Sequence, residues 1–188
     1  IALLLKLHLP LRTFQVRMLD SGEGDSEILE GGRWVANAGP LAPSNRKSVR
    51  RGFLRKLYDT ASSRHFTGMY VNTNKTADIY RDAKNTGYEI PWQHEEVIRL
   101  TDFLLAWQKK HNPIQQPLAW SKIHDKTVLR SHSREALRQR GEICFLFRDP
   151  KGAYAAEPVV DSRLQSYWAM LLRELERRVA DRGDRLPD

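Results

Sequence analysis

Apolar residues recur along this chain at spacings that switch between helical and strand-like. The clearest helical pattern covers residues 94–110, where apolar side chains return every three or four positions until Asn112-Pro113 ends the run. Shorter helices are predicted over 2–9, 11–19, 46–58 and 133–140, the last with Ser131 or Ser133 as its cap. A final helix over 162–181 is predicted to bury Leu164, Trp168, Leu171, Leu172, Leu175 and Val179.

Three short segments have the composition of strands. Residues 32–37 follow a Gly-Gly turn, and residues 67–73 and 86–91 flank a polar tip. We expect the last two to pair antiparallel, with Trp34-Val35-Ala36 as a third strand. The run 143–147 is short and buried, either a strand or a helix end. The sequence therefore predicts an α+β fold, mostly helical, with a small three-stranded antiparallel sheet.

Length and charge narrow the class of partner. The chain has 188 residues, enough for one domain with a real core, and 31 Lys plus Arg against 23 Asp plus Glu give a net charge of +8. This balance favours a polyanionic partner, nucleic acid first. The alternative is an ordinary basic protein.

Several kinds of site and location are disfavoured. Cys144 is the sole cysteine, so the sequence offers no intrachain disulfide and no cysteine zinc site, which suits the reducing cytoplasm. The histidine spacings predict no metal, and no nucleotide-binding glycine pattern is present. The apolar opening is interrupted by Lys6 and His8 and ends at Pro10, too short to span a bilayer, so we expect no membrane partner.

Two basic residues stand where phosphate chemistry would use them. Arg12 directly follows the first apolar helix, and Lys75 lies at the polar tip between two strands. The planar fork of arginine grips two phosphate oxygens at once, whereas lysine can give a proton to a departing oxygen. The alternatives are a surface or salt-bridged helix arginine and a solvated hairpin lysine.

The surrounding motifs resemble those of the tyrosine recombinase (phage integrase) family, in an integrase-like branch from bacterial mobile elements. The stretch LPLRTFQVRML is similar to the family's first arginine motif, with Pro10 in place of its glycine and Gln15 in place of its glutamate. Asn74-Lys75-Thr76, a strand ending in Ile90-Pro91 and a long helix resemble the family's lysine hairpin.

The resemblance implies that residues 1–188 are a partial catalytic domain, with its C-terminal part missing and a basic insertion at about 38–65. It implies duplex DNA as the partner, a possible homo-oligomer on DNA and no cofactor. Arg12 and Lys75 would be catalytic, and Asn74 and Thr76 would contact DNA. The family's later His-x-x-Arg motif and nucleophilic tyrosine are absent, so we expect the nucleophile beyond Asp188 and no cleavage by this chain alone.

A basic run within the insertion is the main candidate for further DNA contacts. On the predicted helix over 46–58, four of its six basic side chains have spacings that can form one helical face over a phosphate backbone. The alternative is a solvated helix face. The run consists of Arg46, Lys47, Arg50, Arg51, Arg55 and Lys56.

Three functions remain open from the sequence. The first is that the chain is part of a recombinase that cuts and rejoins DNA. The second is a non-catalytic nucleic-acid-binding module, and the third is a structural domain of a mobile-element protein. Salt-sensitive duplex binding separates the second from the third.

Among the tryptophans, Trp107 and Trp168 occupy positions predicted to face the core rather than to stack on bases.

Overall fold

Helices and small antiparallel sheets alternate along the chain. The computed structural model describes residues 1–44, 48–73, 87–149 and 155–183. The helices are α1 (Ala2–His8), α2 (Thr13–Arg17), α3 (Glu95–His111), α4 (Lys126–Ser131), α5 (Arg134–Gln139) and α6 (Asp161–Asp181). The strands are β1 (Glu27–Glu30), β2 (Arg33–Ala36), β3 (Leu54–Asp59), β4 (Arg64–Val71), β5 (Tyr88–Ile90), β6 (Leu118–Ala119) and β7 (Glu142–Ile143).

The central sheet has three antiparallel strands in the order β3-β4-β5. Met69 lies at its middle, opposite Leu54 on one side and Ile90 on the other. This confirms the α+β prediction, the small three-stranded sheet and the antiparallel pairing of the segments near 67–73 and 86–91.

The predicted third strand is wrong. Trp34-Val35-Ala36 lies in β2, which pairs with β1 in a separate hairpin, and β3 takes the third place in the central sheet. Gly31 and Gly32 both have positive φ, the conformation that a two-residue hairpin turn needs. The turn therefore pairs β2 with β1, the strand that precedes it in sequence. The hairpin is still attached to the sheet, since Trp34 Nε1 donates to Thr67 Oγ1 at 3.0 Å.

The helix predicted over residues 46–58 is also wrong. Residues 48–53 lack regular secondary structure, and β3 follows, paired with β4 from Leu54 to Asp59. The apolar spacing was compatible with a helix, but pairing along the full length of β3 outweighs that weak local preference. The stretch 38–65 thus supplies β3 and the start of β4.

Two clusters of buried apolar residues form the core. The larger one joins α1, α2, the central sheet and the start of α3, through residues such as Leu5, Val16, Met69 and Val97. The smaller one surrounds Trp120 and is completed by Met18, Ile123, Val128, Leu137, Ile143 and Phe145. Residues 143–147 are all buried, as expected, and run between the two clusters.

The predicted helices at 94–110 and 133–140 are confirmed as α3 and α5. Ser133 caps α5, because its hydroxyl accepts from the Ala136 N–H at 3.1 Å. Gly141 follows at φ +73°, the left-handed conformation that ends many helices. The helix α4 begins at Asp125, whose carboxylate accepts from the Thr127 and Val128 N–H groups.

The last helix, α6, forms where predicted but is exposed along most of its length. Leu164 is buried, whereas Trp168, Leu171, Leu172 and Leu175 are 41–53% exposed. Trp107 on α3 is 41% exposed as well, so the prediction that these two tryptophans face the core is wrong. Amphipathic spacing identified the apolar stripe of α6 but did not show whether that stripe is buried.

None of the helices in the described ranges combines the length and apolarity needed to cross a bilayer.

Candidate functional site

The start of α2 is hydrogen-bonded to Thr73, which follows β4, and to Tyr88, where β5 begins. Gln15 uses both ends of its amide: Oε1 accepts from the Arg12 N–H at 3.0 Å, and Nε2 donates to the Thr73 carbonyl at 3.2 Å. The same Nε2 lies 3.4 Å from the Tyr88 hydroxyl. Thr73 and Tyr88 stand on either side of residues 74–86, so Arg12 is anchored beside the root of that segment.

Arg12 is exposed and immediately precedes the first residue of α2. A second hydrogen bond, from Asn72 Nδ2 to the Met18 carbonyl at 2.6 Å, fixes the other end of α2 to the end of β4. The Gln15 side chain therefore holds the Arg12 backbone beside Thr73 and Tyr88. Lys75, Asn74 and Thr76 themselves lie outside the described residues, and their roles stay predictions.

The basic run does not form one helical face. Arg46 and Lys47 lie outside the described residues, while Arg50 and Arg51 lie before β3 in a segment without regular secondary structure. Arg55 and Lys56 are neighbours on a strand, so their side chains point to opposite faces. Lys56 Nζ pairs with Glu27 Oε1 at 2.8 Å, on the side of the β1–β2 hairpin.

The remaining arginines of the run open onto a polar cleft of about 570 Å³ between the central sheet and the β6–β7 unit. We call this the arginine cleft. It is lined by Arg50, Arg51, Arg55, Arg140, Tyr70, Asn72, Trp120, Asp20, Gly87, Tyr88, Glu89, Glu142 and Ile143.

Aromatic rings hold two of the guanidinium groups in place. The Arg55 guanidinium carbon lies 3.6 Å from the centre of the Tyr70 ring, and that of Arg140 lies 4.6 Å from Trp120. Stacking fixes the plane of a guanidinium while its N–H edge stays able to donate. Arg55 Nη1 also pairs with Glu89 Oε1 at 3.1 Å.

The backbone that carries the arginines is fixed by a buried acidic loop, residues 20–25. The Asp25 carboxylate accepts from the N–H groups of Arg51 and Gly52, both at 2.8 Å. Gly52 passes so close to Gly22 that a Cβ added to it would lie 2.8 Å from the Gly22 Cα. This crossing requires glycine and sets where the neighbouring arginines emerge.

Asp20 forms part of the cleft and is almost fully buried. Its carboxylate accepts from the N–H groups of Gly22 at 2.8 Å and Cys144 at 3.2 Å. Burial, with help from the nearby Asp25 charge, raises the Asp20 pKa to about 7, even though these hydrogen bonds and Arg51 act in the opposite direction. The carboxyl therefore keeps its proton to a much higher pH than an exposed aspartate does.

Burial also raises the pKa of the Cys144 thiol, with a smaller contribution from Asp20. The thiol is therefore neutral at physiological pH, which disfavours it as a nucleophile. Within the described residues, no three His, Cys, Asp or Glu side chains group in a way that could hold a metal ion.

Sequence reasoning missed Arg140 and Trp120 as members of this cleft. Arg51 reaches across it and donates from Nη1 to the Glu142 carbonyl at 2.7 Å. That contact joins residues 91 positions apart, so no local sequence motif predicts it. The sequence offered only a general signal for Arg140, which is a basic residue at the end of a predicted helix, next to the terminating Gly141.

Comparison with known proteins identifies the family. No curated protein and no solved structure matches the chain. Residues 1–121, which include the start of α2, the central sheet and α3, match the family described as "Putative integrase". With most of its length matched, the chain belongs to this integrase family.

Proposed function

We propose that this chain is the DNA-binding part of a tyrosine recombinase, and that Arg12 and Lys75 act on one phosphodiester. The observation that carries the proposal is the Gln15 amide, which joins the Arg12 backbone to the Thr73 carbonyl at the base of the segment containing Lys75. This contact supports the proposal, because Thr73 directly precedes the segment that contains Lys75.

The two side chains suit different parts of phosphoryl transfer. The Arg12 guanidinium neutralises charge on the non-bridging oxygens, which grows as the phosphorus is attacked. Lys75, on a flexible stem, protonates the departing 5′ oxygen. In a tyrosine recombinase the nucleophile is a tyrosine, and the phosphotyrosyl link preserves the bond for rejoining without a cofactor.

The proposal limits what this chain does alone. No tyrosine in the sequence follows a His-x-x-Arg motif. We therefore expect duplex binding without strand cleavage. The net charge of +8 supports a duplex as partner, because neutralising backbone phosphates releases counterions and drives association.

Fluorescence anisotropy with a labelled duplex at two salt concentrations tests this function. Wild type should bind more weakly as salt rises. Arg12→Gln should lower affinity about tenfold, since a charge-assisted contact to phosphate is lost, and should reduce the salt slope by about one contact.

Arg177→Gln is the matched control, because Arg177 is 60% exposed on α6 and the change removes the same charge. Absence of duplex binding at low salt would contradict the proposed function. Equal effects of Arg12→Gln and Arg177→Gln would contradict the role of Arg12.

A further inference from the structure

We propose that the arginine cleft binds a DNA-backbone phosphate next to the one held at Arg12. The inference rests on the proposed function but assigns a separate site, with Arg51, Arg55 and Arg140 as its ligands. Arg140 directly follows α5, outside the region that matches the integrase family.

The side chains that line the cleft carry a net positive charge. Four arginines line the cleft, opposed there by Glu89, Glu142 and Asp20. Counted over the side chains that line the cleft, four positive against three negative charges leave one positive charge in excess, or two when Asp20 is protonated. Both glutamates are about half exposed, so water weakens their hold on the arginines. A phosphate entering the cleft compensates the excess.

Two of the cleft arginines each have a guanidinium nitrogen that lacks an acceptor within the described part of the chain. The Nε atoms of Arg51 and Arg55 are buried and have no hydrogen-bond partner among the described residues. A buried donor without an acceptor destabilises the folded protein, so its presence indicates a site where a ligand supplies the acceptor. Phosphate oxygens accept from guanidinium edges in the fork-like geometry that arginine favours.

The wall of the cleft is hydrogen-bonded to the residue that anchors Arg12. Gly87 and Tyr88 line the cleft at the base of β5, and the Tyr88 hydroxyl is 3.4 Å from the Gln15 amide that anchors Arg12. The Gln15 contact thus links the wall of the cleft to Arg12, which supports neighbouring phosphates at the two sites. The space of about 570 Å³ is ample for a phosphate with its sugar.

Duplex anisotropy titrations of Arg140→Gln and Arg138→Gln test the site. The two arginines lie two positions apart, and each change removes one positive charge. Arg138 is 67% exposed, pairs with Glu135 and does not line the cleft. We expect Arg140→Gln to lower affinity about tenfold and the salt slope by about one contact, and Arg138→Gln to change neither by a comparable amount.

Arg140→Lys keeps the charge but loses the planar fork. It should retain most of the salt slope while losing part of the affinity. Thermal melts report whether each variant is folded. If Arg140→Gln is unfolded, Arg51→Gln takes its place, with the same expected loss.

The outcomes separate the two proposals. No duplex binding by wild type would overturn both. If wild type binds and Arg12→Gln weakens binding, but the Arg140 and Arg51 variants match Arg138→Gln, the cleft site is overturned and the proposed function stands. Loss of affinity in the cleft variants alone would support the cleft and count against Arg12.

Discussion

Asp20 should make the stability of this protein fall as pH rises toward neutrality. Its carboxyl is buried, and its pKa is raised from 3.8 to about 7 in the folded state. Between these two values the folded protein holds a proton that the unfolded chain has released. Raising the pH through this window therefore costs stability, the opposite of the usual behaviour of a salt-bridged aspartate.

The size of the effect follows from the shift. A tenfold change in proton affinity is worth about 1.4 kcal/mol, so a rise from 3.8 to about 7 corresponds to an upper limit of about 4 kcal/mol. The pKa of Asp25 is also raised by burial and adds in the same direction. Wild type should then lose a large part of its marginal stability between pH 4 and pH 8.

Urea unfolding across this pH range provides the assay, with Asp20→Asn as the perturbation. The asparagine cannot ionise, so the variant should lose most of the pH dependence. It should be less stable than wild type at low pH, because its amide N–H₂ would face a backbone donor at Gly22 or Cys144. Asp102→Asn, at an exposed position on α3, is the control and should follow wild type. A wild-type curve whose stability rises from pH 4 to pH 8 would refute the reasoning.

Two further predictions concern packing. Gly52→Ala should destabilise the fold by about 1–3 kcal/mol in urea unfolding, because its Cβ would lie 2.8 Å from the Gly22 Cα and 2.9 Å from the Asp25 carboxylate; wild-type stability would contradict this close crossing. Leu164→Ala should cost about 2–5 kcal/mol, since Leu164 is 5% exposed, whereas Leu171→Ala, at 53% exposure, should cost less than about 1 kcal/mol. Equal losses would mean that α6 is packed along its length.

Sequence patterns correctly predicted the helices and strands that are determined by neighbouring residues. The helix α3 has a long apolar repeat and a proline after its end, and α5 has Ser133 as cap and Gly141 as terminator. The strands on either side of residues 74–86 could be predicted because polar residues separate two strand-like runs. These signals need no knowledge of the rest of the chain.

The errors arise where distant partners decide the structure. Residues 54–59 have an apolar spacing that fits a helix, but β4 is available to pair with them. The stripe of α6 is amphipathic, yet nothing in its own sequence tells whether Leu171 or Leu175 meets another surface. Arg140 could not be assigned to a site, because its position depends on how β7 meets the acidic loop.

That loop explains why arginines from separate parts of the chain converge. Asp25 holds the backbone of Arg51 and Gly52, while Asp20 and Ser21 bond to the backbone of Cys144, just after β7. The carboxylates thus take backbone N–H groups rather than the guanidinium groups of the cleft. Buried acids fix where the basic side chains stand without cancelling their charge at close contact. Changes in the loop should therefore alter stability and binding together, whereas Arg140→Gln should alter binding with far less effect on folding.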